Sequence, residues 1–170
     1  MPKIKGGNWL IFIVKIICLC LVFWGICYLV TGTDKKNLKG LSAYPDAIQH
    51  KVKNDSVLGP QVKSISPVAS FLSNLLLYTV LLLLVCLFES EDGFLPNFWK
   101  VLVMGESLNL FDFLVIDLLW WRHTKRVRFT GTENQPELYC DPKNHLISFV
   151  KGGVMFFMVA VIAGFVLSCF

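Results

Sequence analysis

The sequence predicts an all-α polytopic membrane protein, a bundle of four transmembrane helices, on three observations. Hydrophobic residues make up 55% of the 170-residue chain and mean hydropathy is +0.60, far too apolar for a soluble domain of this size. Apolar runs of bilayer length recur at about 9–30, 68–88, 94–121 and 146–170. The 16 Lys and Arg residues, behind a net charge of +4, fall mostly in two segments flanking these runs, 31–67 and 122–145. That placement marks topology and contact with anionic lipid headgroups, not nucleic acid. A single membrane domain spanning residues 1–170 is expected.

The first span, Trp9 to Val30, is broken only by Lys15. Lys3 and Lys5 precede it as in a signal peptide, but the apolar run exceeds the roughly 7 to 15 residues of such a segment and no A-x-A-like site follows. A retained helix is expected. In the polar segment that follows, Lys35, Lys36, Lys39, Lys51, Lys53 and Lys63 outweigh three acids. Tyr44, Ile48 and Val52 recur every fourth residue there, and Pro45 suits a first helical position. Two readings fit: a short amphipathic helix lying on the membrane, or a solvated linker with a helical turn or two.

The second span, Val68 to Phe88, carries Ser70, Ser73, Asn74 and Thr79 in its first half, with Asn74 expected to hydrogen-bond a neighbouring helix. Glu89, Glu91, Asp92 and Gly93 make an acidic turn, and the third span begins near Phe94 with an interfacial piece up to Trp99. Beyond Trp121, Arg122 to His145 holds Arg122, Lys125, Arg126, Arg128 and Lys143. Alternation at Val127 and Phe129 hints at an extended stretch, and Asp141-Pro142 marks a turn. In the last span, Ala160, Gly164 and Ser168 recur at intervals of four, which lets another helix come close. Counting Lys and Arg, the two loops and Lys151 carry twelve against Lys3, Lys5 and Lys100 on the other side. The positive-inside rule therefore places both loops in the cytoplasm and both termini outside, although Lys3 and Lys5 weigh the other way.

The third span concentrates the chemistry. Between Val101 and Trp121 lie Glu106, Asn109, Asp112 and Asp117. Twelve Leu, Ile, Val and Phe residues supply roughly 4 to 7 kcal/mol of insertion energy, while three ionised acids at depth cost roughly 7 to 10. The acids win, so they must be protonated, paired, interfacial or turned into a polar interior. Lys15 and Glu106 start at similar depths in their helices, which suggests a buried ion pair, with Lys15 snorkelling to the headgroups as the alternative. At about 100° per residue, Gly105, Asn109, Asp112 and Trp120 share a face, with Glu106, Phe113 and Asp117 beside it. A sector this wide suits a wall of a hydrated cavity or packing against a partner subunit. Intramembrane acids of this kind serve proton relays and ion pathways. Arg122, Lys125, Arg126 and Arg128, just beyond Trp120 and Trp121, read as an ordinary anchor or as a site for a phosphorylated lipid.

Other chemistries find less footing. His50, His123 and His145 show no metal-ligand spacing, so neither a metal nor another cofactor is expected. There is no nucleotide-binding glycine pattern. Five of the cysteines lie in apolar segments, Cys140 is alone in a loop, and no C-x-x-C occurs, so they read as small hydrophobes.

The segment Asn109-Leu110-Phe111-Asp112, followed by Asp117, resembles one motif of the lipoprotein signal peptidases, four-helix proteins of similar size. Their second catalytic motif, an Asp in a Phe-Asn-x-Ala-Asp setting, has no counterpart, because Leu146 to Phe170 contains no acid. More broadly, the run from Asn109 through Trp121 and Arg122 to Tyr139 and Asp141-Pro142 is similar to small bacterial integral membrane proteins without an assigned activity. That resemblance implies a bacterial inner-membrane location and no mechanism. The expected function is proton or cation handling by the third helix, alone or as a subunit of a larger transporter or a homo-oligomer. A membrane-embedded enzyme acting on a lipid-linked substrate and a noncatalytic assembly factor are the alternatives.

Overall fold

A computed structural model describes residues 8–63 and 66–170; Lys3 and Lys5, which bear on orientation, lie outside the described residues. All regular structure among the described residues is helical. Three segments, Trp9–Leu29, Pro67–Glu89 and Pro136–Leu167, are long and apolar enough to cross a bilayer. The segment from Phe94 to Trp121 is not among them; it carries the charged residues Lys100, Glu106, Asp112 and Asp117.

Helix α1 (Asn8–Leu29) is apolar on all sides, and Leu10, Leu21 and Leu29 are more than half exposed. A surface of that kind belongs against acyl chains, not water. Three devices stop it. Thr31 Oγ1 donates back to the Cys27 carbonyl at 2.9 Å, Gly32 takes a φ of +105°, and Lys36 Nζ donates to the Leu29 carbonyl at 2.8 Å. Then come α2 (Asp34–Asn37), capped by Thr33, and α3 (Asp46–Lys53), which begins just after Pro45. Helix α4 (Pro67–Cys86) has proline in its first turn, where the missing N–H costs nothing. Asn74, expected to bond across helices, is exposed, whereas Thr79 is buried and donates to its own helix at the Leu75 carbonyl. Helix α5 (Phe94–Phe111) starts at Phe94 and is continuous through Trp99. It runs on as a π-helix from Asp112 to Trp121, and α6 (Lys143–Leu167) follows Pro142.

The described residues divide into two compact units, one of 8–21, 66–110 and 151–170, the other of 22–63 and 111–150. In the first, glycines bring α5 and α6 together. A side chain at Gly164 would come within 2.9 Å of the Phe98 backbone, and one at Gly105 within 2.6 Å of the Phe156 ring. The interval-of-four pattern is thus used for close packing. Val101, Met104, Leu108, Val159, Ala160 and Ala163 are buried in this unit.

The second unit packs the two basic loops around one aromatic core: Leu41, Tyr44, Ile48, Val52, Val127, Phe129 and Tyr139. The apolar stripe of α3 is therefore covered by protein and is not laid on a membrane. Tyr44 Oη donates to the Val127 carbonyl at 2.9 Å, and the Phe129 N–H donates to Tyr139 Oη at 3.0 Å. The extended stretch expected at Val127 and Phe129 is a 3-10 turn, Lys125–Val127, followed by one extended residue. Both apolar side chains still point inward, because the turn leaves them on the same side as Tyr44.

Candidate functional site

Among the expected site residues, Glu106 and Asn109 belong to the first unit, where they lie against bare backbone. A side chain at Gly152 would meet Asn109 Oδ1 at 2.3 Å, and one at Gly153 would sit 3.7 Å from Glu106 Oε2. Asn109 Nδ2 donates to Glu106 Oε2 at 3.3 Å. The two glycines at the start of this part of α6 leave room for a polar pair on α5 that would otherwise clash.

Lys15 does not pair with Glu106. Its Nζ bridges Glu89 Oε1 at 2.9 Å and donates to the Val85 carbonyl at 3.0 Å, both at the end of α4. That position gives the ammonium a carboxylate and an unsatisfied helix-terminal carbonyl together, which Glu106 does not offer. The acidic turn is fixed further by Lys100 on Glu91 at 2.8 Å. Asn97 there accepts from the Glu91 N–H and donates to the Glu91 and Gly93 carbonyls.

Asp112 and Asp117 belong to the second unit, and the π-helix changes their relation. In an α-helix a five-residue spacing turns two side chains roughly 140° apart. A π-helix bonds i to i+5, so the same spacing stacks them on one face. Asp112 lies one such turn before Asp117, within range of its charge. Exposure follows the five-residue period: Leu114 and Leu119 are 44% and 60% exposed, whereas the two acids are half-buried.

Asp117 Oδ1 accepts from His145 Nδ1 at 2.9 Å, with side-chain exposures of 14% and 3%. The His145 ring meets Trp121 edge-on, centroids 5.6 Å apart, and Trp121 in turn meets Tyr44 edge-on at 4.9 Å. Both His145 Nε2 and Trp121 Nε1 are buried with no hydrogen-bond partner among the described residues. Buried polar atoms of this kind are few in folded proteins and cost about 1–3 kcal/mol each. His145 was not legible as a site residue, since its partner lies 28 positions away and no short motif joins them.

The four basic residues expected at phosphate separate into two pairs. Arg126 Nη2 donates to the Tyr28 and Thr31 carbonyls at 2.9 and 3.1 Å, and its guanidinium lies 3.8 Å over the Tyr28 ring. It caps α1. Arg128 donates to the Glu133 carbonyl within its own turn. Arg122 and Lys125 make no ion pair among the described residues, and Lys125 is exposed.

His50 bonds Asn54 and His123 bonds the Leu119 carbonyl, each on its own helical turn. No three His, Cys, Asp or Glu side chains converge as metal ligands among the described residues. All six cysteines are free. Comparison with known protein families, characterised proteins and solved structures finds no match.

Proposed function

We propose that the protein is a multi-pass integral membrane protein, with Phe94 to Trp121 as a fourth crossing, that handles protons or cations through the carboxylates of that third long helix. The observation that carries this reading is the π-helix from Asp112 to Trp121, with Asp112 within range of the Asp117 charge and Asp117 held by buried His145. π-Helical geometry is rare and occurs mostly as single-turn bulges, frequently at functional sites; here it runs for ten residues. Here it converts two acids that α-geometry would separate into neighbours. Carboxylates so placed can load, share and release a cation without either being left alone in a low dielectric.

Glu106 and Asn109 form a polar pair of their own in the first unit and are proposed to take part in ion handling there. Lys15 pairs with Glu89 and not with Glu106, which gives it a structural role. The shared core of segments 31–63 and 122–142 supports a topology with both loops on one side, which the charge count makes the cytoplasm. There Arg122 and Lys125 remain available to anionic lipid headgroups. A cell-membrane location, in a bacterial inner membrane, follows from the resemblance of the Asn109 to Pro142 run.

Reconstitution tests the reading. Flux of protons, Na+ or K+ in proteoliposomes that vanishes in Asp112→Asn supports it. Absence of flux with any of these ions overturns it, and a copurifying lipid or stable partner in that case supports the enzymatic or assembly alternatives.

A further inference from the structure

The ion class is open in the reading above, and His145 narrows it. We propose that His145 is a proton-exchanging residue, taking up a proton at Nε2 and delivering one from Nδ1 to Asp117, so that the ion handled is H+. This rests on the third long helix being an ion-handling element and adds both the substrate and a residue on a different helix.

The geometry sets the direction of exchange. With Nδ1–H donating to Asp117 Oδ1 at 2.9 Å, a neutral ring carries its lone pair on Nε2. That nitrogen is buried with no partner among the described residues, and so is the Trp121 Nε1–H whose ring it meets. One acceptor and one donor, on rings whose centroids are 5.6 Å apart, are the two polar partners a bridging water needs at minimum. A hydronium arriving at Nε2 gives its proton to the lone pair and leaves as water. The imidazolium then passes its Nδ1 proton to the Asp117 carboxylate. Asp117, now neutral, can share the proton with Asp112 one π turn away, leaving the ring neutral with its proton on Nε2, and the starting tautomer returns when Nε2 gives that proton to water and Nδ1 takes one up.

Only an exchanging role predicts chemical rescue. In proteoliposomes with an internal pH dye, the parent should carry H+ down an imposed gradient and neither Na+ nor K+. His145→Ala should lose about a hundredfold of that flux, and added imidazole should restore a large part of it. Flux lost and not restored, in a variant as thermally stable as the parent, overturns the proposal in favour of a purely structural contact. Na+ or K+ flux that His145→Ala leaves intact also overturns it while the ion-handling reading stands. No flux of any ion in the parent overturns that underlying reading itself. Should His145→Ala fail to fold, 15N spectra of the parent's imidazoles decide. A neutral ring protonated on Nδ1 is expected, and one protonated on Nε2 contradicts the proposal.

Discussion

Tyr44→Ala removes the side chain on which the two basic loops pack. Tyr44 is fully buried, with its ring 4.9 Å from Trp121, 5.1 Å from Phe129 and 6.1 Å from Tyr139, and its hydroxyl on the Val127 carbonyl. Losing a buried aromatic of this kind costs about 3–5 kcal/mol. Every 1.4 kcal/mol is tenfold, so the locally open fraction of this unit should rise between about a hundred and a few thousand fold. Tyr44→Phe keeps the ring and orphans the Val127 carbonyl, at about 1–3 kcal/mol. Trypsin reads both variants, because α3 carries exposed Lys51 and Lys53 that are cleaved only when it opens. In detergent the cleavage rate should rank Tyr44→Ala well above Tyr44→Phe, and both above the parent. Burial also pushes the Tyr44 phenol up from its ordinary value of 10.0. The folded state then holds a proton that the unfolded chain gives up, so this contribution is complete below about pH 10 and is lost as pH rises toward the folded value. The parent's melting temperature should therefore fall more steeply above pH 10 than that of Tyr44→Phe. Unchanged tryptic cleavage in Tyr44→Ala, or resistance in the parent that appears only with anionic lipid, would refute the shared core and return the stripe to the membrane surface.

Two further outcomes follow from the first unit. In a double-mutant cycle read by thermal unfolding, Lys15→Ala and Glu89→Gln should couple by about 0.5–1 kcal/mol, as expected for a pair one-third exposed. Lys15→Ala and Glu106→Gln should be additive. Gly152→Ala places a methyl group on Asn109 and should cost about 1–3 kcal/mol by overpacking, and combining it with Asn109→Ala should cost less than the two changes summed.

What could be read from the sequence was what period and composition fix locally. The long apolar runs of α1, α4 and α6 show in hydropathy alone, and the Ala160–Gly164 spacing announces a close helix approach. The Tyr44, Ile48 and Val52 stripe is correctly amphipathic. Its covering was not legible, because Val127, Phe129 and Tyr139 lie some 80 residues further along the chain. Lys15 shows why depth alone misassigns partners: an ammonium seeks carbonyls at a helix end as well as a carboxylate, and Glu89 with Val85 supplies both. The Asp112 and Asp117 relation failed for another reason. A fixed 100° step assumes α-geometry, and the switch to i to i+5 bonding at Asp112 leaves no local sequence signal. Arg126 looked like a headgroup ligand because a cation beside tryptophan usually is one, whereas the α1 carbonyls claim it.

On the proposed function, the third long helix turns its acids toward protein and its leucines toward lipid, in a five-residue register. Site-directed fluorescence distinguishes the two faces. With the six native cysteines replaced, single cysteines at Asp112, Leu114, Asp117 and Leu119 carry a small fluorophore in liposomes containing brominated lipid. Quenching at Leu114 and Leu119, with Asp112 and Asp117 protected, is the result expected. Strong quenching at Asp112 and Asp117, equal to that at the leucines, would contradict it.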